Sequence, residues 1–299
     1  MNPSRGIFLM ISAITMFVVM QSCIKAADSV PAGQAVFFRS ICAIPIILAW
    51  VISHGSLRDG LKTKHWKIHA GRALAGTMAM GLGFSGLKFL PLPEVTALRF
   101  ATPILLVIFA AFLLGERFRL IRLSAVIVGL IGVLIIMLPR LSFDGGSRET
   151  VVFARVLVSA ALAALAQILI MKMAVVEKSS SIVFLFSVTA TMLSLLTIPF
   201  GWVWPSPAEW ALLIGAGLVG GCGQLLLTSS YKFADAGVLA PFTYVSMIWA
   251  LLIGYFVFAE VPTVPMLLGA ALIIAAGAVI VWRERQLKKL PPPNIGTNL

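Results

Sequence analysis

The amino-acid sequence predicts an all-α integral membrane protein with ten transmembrane helices, arranged as two inverted five-helix repeats. Two observations lead to this prediction. First, 60% of the 299 residues are hydrophobic and only 11% are charged, so a soluble domain of this length would have too little polar surface to cover itself. Second, the first half of the chain aligns with the second half without a gap at an offset of 144 positions.

Crossing the hydrocarbon core of a bilayer takes about 20 apolar residues, and the chain offers ten such runs separated by short connectors. In chain order the predicted spans are Gly6–Ile24, Gly33–Ser53, Ala70–Leu87, Pro93–Leu114, Ile121–Leu138, Val152–Met171, Ser181–Phe200, Trp210–Ser230, Val238–Phe258 and Val264–Trp282. Because these spans use nearly the whole chain, no separate soluble domain is expected.

Lysine and arginine residues are unevenly divided between the two sides of these spans. Of the 23 basic residues, 16 fall on the side that holds the N-terminus, five fall on the opposite side, and Arg39 and Arg99 lie inside spans. Because cytoplasmic loops have the excess of basic residues, both termini are predicted to be cytoplasmic. The basic residues behind the net charge of +12 are therefore expected to set the orientation of the chain in the membrane and to contact membrane lipids. No nucleic-acid partner is expected.

The internal duplication is clearest in the paired glycines, the Lys-Phe dipeptides and the glutamates that end the aligned segments, since apolar residues often match by chance. These pairs are Gly71 with Gly215, Gly76 with Gly220, Lys88-Phe89 with Lys232-Phe233, and Glu116 with Glu260. Five spans per copy is an odd number, so the second copy enters the membrane from the opposite side. Such inverted repeats are typical of secondary transporters.

The duplication also sets the predicted domain boundaries. The first repeat covers residues 1–139 with spans one to five, and the second covers residues 152–285 with spans six to ten. Residues 140–151 are predicted to form an extracytoplasmic linker, and residues 286–299 a cytoplasmic Pro-rich tail.

Three segments resemble a known family. They are the opening of the second span, Gln34-Ala35-Val36-Phe37-Phe38-Arg39, the end of the fourth, Gly115-Glu116-Arg117, and the ninth-span segment from Ala240-Pro241 to Ala259-Glu260. Together with the pattern of ten predicted spans, these segments resemble the EamA family of the drug/metabolite transporter superfamily. The resemblance implies transport of a small molecule through a cavity between the two halves, in a bacterial inner membrane. The Phe-Phe-Arg opening is closest to the branches that take up riboflavin and S-adenosylmethionine.

Residues that could hold a metal or perform catalysis are scattered. The three histidines fall in one basic connector and the three cysteines lie singly in apolar runs, without the spacing of a metal, nucleophilic or disulfide site. No metal, cofactor or enzyme activity is therefore expected. An integral-membrane enzyme and a structural membrane subunit are kept as remote alternatives, and a homodimer is left open.

The two basic residues inside spans are the first candidates for a binding site, because burying a charge in the membrane is costly unless it has a partner or water. Arg99 shares a helical face with Thr96, Phe100 and Pro103, and Pro103 frees a backbone carbonyl that can line a cavity. We expect Arg99 to bind substrate. For Arg39 the alternatives are a binding role, a snorkelling anchor, or an ion pair with Glu94.

Polar and aromatic residues of other spans complete the candidate cavity. Gln224 lies on the eighth span, Tyr244 and Trp249 on the ninth and Gln167 on the sixth. Such residues can equally be interhelical hydrogen-bond partners. The residues expected to act as hinges or packing surfaces are Pro103, Pro241, Gly76, Gly220, Gly217 and Gly221.

No acidic residue falls in the middle of a span; Glu94, one residue into the fourth, comes nearest. A proton-driven exporter of lipophilic cations needs a carboxylate at that depth. The expected cargo is therefore neutral, zwitterionic or carboxylate-bearing, with riboflavin-like and S-adenosylmethionine-like or amino-acid-derived molecules first. A broad-specificity exporter of drugs or amino-acid metabolites is the alternative. Proton coupling would run through Glu94, and exchange or facilitated diffusion is equally open.

The inverted duplication predicts that Glu116 faces the cytoplasm and Glu260 the exterior. Single cysteines are placed at these positions in a background without Cys23, Cys42 and Cys222. A membrane-impermeant maleimide should label the Glu260 position in intact cells and the Glu116 position only after the membrane is permeabilised. Labelling of both positions from one side would contradict the inverted arrangement.

Overall fold

The structure is a computed structural model that describes residues 3–53, 63, 65–114, 120–137, 148–174, 176–234 and 236–289. Within these ranges every regular element is a helix. Glu116, the middle of the 140–151 linker and the end of the tail lie outside the described residues. Four helices are long and apolar enough to cross a membrane: Ser4–Ala26, Ala32–Ser53, Thr150–Ala174 and Pro207–Phe233. Shorter apolar helices accompany them.

Thirteen α-helices and two 3₁₀ segments follow one another in the described ranges. The α-helices are α1 (Pro3–Ala26), α2 (Ala32–Ile41), α3 (Ala43–Ser53), α4 (Trp66–Leu87), α5 (Leu92–Arg99), α6 (Ala101–Leu114), α7 (Leu120–Met137), α8 (Arg148–Ala174), α9 (Ser179–Leu195), α10 (Pro207–Phe233), α11 (Ala236–Leu239), α12 (Val245–Phe258) and α13 (Val264–Lys289). The 3₁₀ segments are Ile198–Phe200 and Ala240–Tyr244.

Three of the predicted spans are broken rather than continuous. The second span breaks at Cys42 between α2 and α3, the fourth at Phe100 between α5 and α6, and the ninth at the 3₁₀ segment Ala240–Tyr244. A proline explains the position of each break. Proline has no N–H to donate to the carbonyl oxygen of the residue four positions before it, and it is tolerated only in the first turn of a helix. Pro45 and Pro103 are the third residues of α3 and α6, and Pro241 lies in the 3₁₀ segment.

Helices of the two halves pack against one another in reciprocal pairs. Helix α1 of the first half lies along α10 of the second, and α8 of the second half lies along α4 of the first. Helix α2 packs on α9, α5 on α12, and α7 on α13. One main apolar core draws residues from both halves, so each half depends on the other for its burial.

Glycines allow α10 to approach the broken second span closely. A side chain at Gly217 would meet Cys42 and lie 2.7 Å from the Phe38 carbonyl oxygen, and one at Gly221 would lie 2.9 Å from the Cα atom of Ala43. Both glycines therefore lie where two backbones nearly touch, as small residues do between membrane helices.

Replacing Gly221 with alanine should lower the free energy of unfolding by about 1–3 kcal/mol, because the added methyl group meets backbone atoms of α3 that must shift. Gly215→Ala is the matched control on the same helix, since a Cβ atom there has nothing within 4 Å. Denaturant unfolding in detergent micelles measures both, and equal stability of the two variants would contradict this packing.

Candidate functional site

Arg39 is buried at the end of α2, with 2% of its surface exposed. Its Nη2 atom donates to Gln224 Oε1 at 3.3 Å and to the Gly220 carbonyl oxygen at 3.5 Å, both on α10. Its Nε and Nη1 atoms have no hydrogen-bond partner. The structure thus gives Arg39 an amide partner from the opposite half, and not the ion pair with Glu94 or the snorkelling position among the alternatives above.

Arg72 on α4 is a second buried arginine, with 3% of its surface exposed. Its Cζ atom lies 3.4 Å from the ring centroid of Phe186 on α9, and that of Arg39 lies 5.5 Å from the same centroid. The Nε and Nη1 atoms of Arg72 also have no hydrogen-bond partner. We name Arg39, Arg72, Phe186 and Gln224 the Phe186 cluster.

Sequence reasoning missed two members of this cluster. Arg72 was counted with the basic cytoplasmic flank because it lies close to the start of the third span. A usable signal existed, since Arg72, Gly76, Ala79 and Gly83 share one helical face and a glycine stripe beside an arginine indicates a packed position. Phe186 had no distinguishing signal within an apolar span.

Arg99 ends α5 and lies in a second group of buried polar atoms. Its Nη1 atom donates to Gln21 Oε1 on α1 at 2.8 Å. A Cβ atom at Gly83 on α4 would lie 3.7 Å from Arg99 Cζ and 3.0 Å from Ser159 Oγ on α8. The next residue, Phe100, packs edge to face with Tyr244, with ring centroids 5.2 Å apart. Arg99, Phe100 and Tyr244, three of the predicted site residues, therefore lie close together.

Helices α1 and α4 connect the two groups. Met20 on α1 lies against Gly220, where a Cβ atom would also be 3.4 Å from Arg39 Nε, while the following residue, Gln21, binds Arg99. On α4, Gly76 lies against Phe186 and Gly83 against Arg99. These glycines are seven positions apart, which corresponds to about 10 Å of helix.

The remaining predicted residues are placed differently. Thr96 donates to the Leu92 carbonyl oxygen of its own helix at 2.9 Å, and Gln167 donates to the Tyr231 hydroxyl. Glu94 is buried near the start of α5. Trp249 lies on the face of α12 that also exposes Phe256, opposite the buried Met247, Ala250 and Gly254. In the part of the chain that the structure describes, no hydrogen bond joins Thr96, Gln167 or Trp249 to Arg39, Arg72 or Arg99.

An ion pair and a histidine–glutamate contact also join the two halves. Lys25 Nζ at the end of α1 contacts Glu260 Oε1 at 2.8 Å and donates to the Leu87 and Leu90 carbonyl oxygens. The other carboxylate oxygen of Glu260 accepts from the Leu92 N–H at 2.8 Å. On α4, His69 Nε2 lies 2.6 Å from Glu177 Oε2. Histidine, cysteine and acidic residues of the described ranges form no group of three that could hold a metal ion.

Comparison with protein families identifies both halves of the chain. The model of the EamA-like transporter family matches residues 4–138 and again residues 151–282. A solved crystal structure with 20% sequence identity superposes with a TM-score of 0.70 over 95% of this chain and 99% of its own. At that identity the likeness concerns the fold alone.

Curated relatives of similar length are all named as transporters. An S-adenosylmethionine uptake transporter of Rickettsia prowazekii is 28% identical over 254 residues, which cover 85% of this chain and 84% of its own. The pseudopaline exporter CntI of Pseudomonas aeruginosa is 29% identical, with 91% and 94% covered. A riboflavin transporter of Vibrio cholerae is 26% identical, with 96% and 97% covered.

Lys25 and Glu260 should show a coupling energy of about 1–3 kcal/mol in a double-mutant cycle, because both side chains are mostly buried and a lone charge left there is destabilising. The cycle compares Lys25→Met, Glu260→Gln and the double variant by denaturant unfolding. Hydrogen bonds that each residue makes to the backbone cancel in the cycle, and additive effects would rule out the ion pair.

Proposed function

Since the chain belongs to the EamA-like transporter family, with one family repeat in each half of its sequence, we propose that it moves a small metabolite across the bacterial inner membrane by alternating access. The chain is a multi-pass membrane transporter of the drug/metabolite superfamily and not an enzyme. The match of both halves to one family model is the observation on which this proposal chiefly rests.

The proposed mechanism uses two inverted five-helix repeats, residues 1–139 and 152–285, with both termini in the cytoplasm. The reciprocal packing of α1 with α10 and of α4 with α8 supports this arrangement, because an inverted pair repeats each contact with the halves exchanged. Rocking of one repeat against the other would then expose a central site to each side in turn.

We place the substrate site around Arg99, Phe100 and Tyr244, with Arg39 and Gln224 beside them. Helices of both halves supply these residues, and aromatic rings beside polar groups suit a flat, partly apolar metabolite. Riboflavin-like and S-adenosylmethionine-like or amino-acid-derived molecules are the first cargo candidates, since relatives of both kinds cover most of this chain.

Export of an amino-acid-derived metabolite is the second candidate function. The specific observation in its favour is the similarity to a pseudopaline exporter over 91% of the chain. For either direction we propose Glu94 as the residue through which proton coupling would run, because this carboxylate is buried near the start of α5, five residues before Arg99.

Transport is tested with the full chain in proteoliposomes, by counterflow of labelled riboflavin and S-adenosylmethionine and by efflux of amino-acid pools. We expect Arg99→Gln and Tyr244→Ala to lower the rate about tenfold or more, because each removes a contact at the proposed site. Phe256→Leu on the exposed face of α12 is the matched control and should transport normally.

Unchanged rates for both Arg99→Gln and Tyr244→Ala would move the site elsewhere in the bundle. Absence of counterflow for every solute would contradict the carrier function itself. A proton gradient that drives uptake in the parent chain but not in Glu94→Gln would assign the coupling role to Glu94, and equal driving of both would remove it.

A further inference from the structure

The Phe186 cluster places two positive charges at one aromatic ring without a negative charge to balance them. Arg39 and Arg72 are almost fully buried, and both guanidinium carbons lie within 5.5 Å of the Phe186 ring centroid. Of the residues that the structure describes, no carboxylate lies within ion-pair distance of either arginine. The repulsion between these two buried like charges is therefore left uncompensated by the residues that the structure describes.

The protein satisfies only part of the hydrogen-bonding capacity of these arginines. A guanidinium has five N–H donors in a planar fork that matches a carboxylate. Within the described ranges, the Nε and Nη1 atoms of Arg39 and of Arg72 all have no acceptor. The face of Phe186 attracts the cations, yet it does not accept these in-plane hydrogen bonds.

We infer that the Phe186 cluster is the subsite for the carboxylate of a water-soluble metabolite. Two guanidinium groups with free donors at Nε and Nη1 offer the bidentate contacts that a carboxylate takes up. The inference rests on the proposed transport function and narrows its cargo to acids and zwitterions. The neutral members of the range expected from the sequence are thereby disfavoured.

Neighbouring residues hold the arginines in place for this role. Gln224 accepts from Nη2 of Arg39 and so fixes the side of the guanidinium that faces α10, leaving its other nitrogens for a ligand. Gly76 and Gly220 lie against the two arginines, where a Cβ atom would come within 3.4 Å of Arg72 Nη1 and of Arg39 Nε. These two glycines are also partners in the internal duplication.

The occupant is expected to be a metabolite rather than a lipid. A phospholipid phosphate has the same charge, but its acyl chains must stay in the bilayer, and the two arginines are enclosed by α2, α4, α9 and α10. A small acid has no acyl chains that tie it to the bilayer.

Thermal unfolding of the detergent-purified full chain tests the subsite without a transport assay. The probes are acetate, succinate and S-adenosylmethionine, each paired with a counterpart that lacks the carboxylate: acetamide, succinamide and decarboxylated S-adenosylmethionine. We expect at least one acid to raise the unfolding midpoint in a saturable manner. Its apparent affinity should exceed that of its counterpart by about tenfold or more.

Variants of the cluster assign the effect to its residues. In Arg39→Gln and in Arg72→Gln the preference for the acid should be lost, and in Arg39→Lys, which keeps the charge but not the planar fork, it should be weakened. Arg5→Gln is the matched control, because Arg5 also lies over an aromatic ring, Phe233, but is exposed at the start of α1. Its response should equal that of the parent chain.

Several results would overturn the subsite. These are the absence of any midpoint shift with the acids, equal shifts from acids and counterparts, a preference that survives both glutamine variants, and a shift produced by phosphatidylglycerol alone. If the glutamine variants do not fold, as judged by circular dichroism and gel filtration, the lysine variant decides, and an unchanged preference there also overturns the subsite.

Counterflow in proteoliposomes separates this inference from the function on which it rests. If transport shows no preference for acids that depends on the arginines, the subsite is contradicted and the carrier function stands. If an acid binds in an arginine-dependent manner but no solute moves, the subsite stands and the carrier function is contradicted.

Discussion

The rest of the structure depends on the cost of placing a cation inside a membrane protein. An arginine in an apolar bundle is tolerated only where other groups replace the water it has lost. Arg39, Arg72 and Arg99 meet part of this requirement with an amide, an aromatic ring and a second amide, each from another helix. The helices that contact each other around these side chains, α1, α2, α4, α9 and α10, come from both halves. The same helix contacts therefore bury the charges and join the two halves.

Helix breaks next to two of these arginines reduce that cost. Arg39 and Arg99 each lie in the last turn of a short helix, and the following helix has proline as its third residue. Pro45 cannot donate to the Ile41 carbonyl, nor Pro103 to the Arg99 carbonyl. A freed carbonyl has partial negative charge, which favours a cation in the same turn. The breaks thus leave a backbone carbonyl without its helical donor beside each of these arginines, while the Nε and Nη1 atoms of Arg39 have no partner among the described residues.

Composition and the internal repeat were enough to predict a duplicated helical membrane protein, because membrane thickness and gene duplication both leave periodic traces in sequence. The EamA family was predicted from the resemblance of three segments to that family. The substrate-binding roles of the candidate residues stay a prediction. In the structure Phe100, next to Arg99, packs against Tyr244, whereas Gln21, Arg72 and Phe186 were not among the candidates from the sequence. The contacts of Gln21 and Phe186 join distant helices and leave no signal on one helical face, while the glycines that share a face with Arg72 were a usable signal. Trp249 lies on the exposed face of α12, and an aromatic residue fits a binding site and an exposed apolar surface equally well.

Two contacts between the halves bear on how such a bundle could work as a carrier. Lys25 with Glu260 joins α1 to the residues after α12, and His69 with Glu177 joins α4 to the residues after α8. In the proposed topology the first contact lies at the exterior side and the second at the cytoplasmic side, with the arginine groups between them. Each contact links one half to the other, so in the proposed mechanism the opening of one side would separate the contact on that side. A carboxylate bound between Arg39 and Arg72 would relieve their repulsion inside the bundle. The free energy of cargo binding would then act on the interface between the two halves, as alternating access requires.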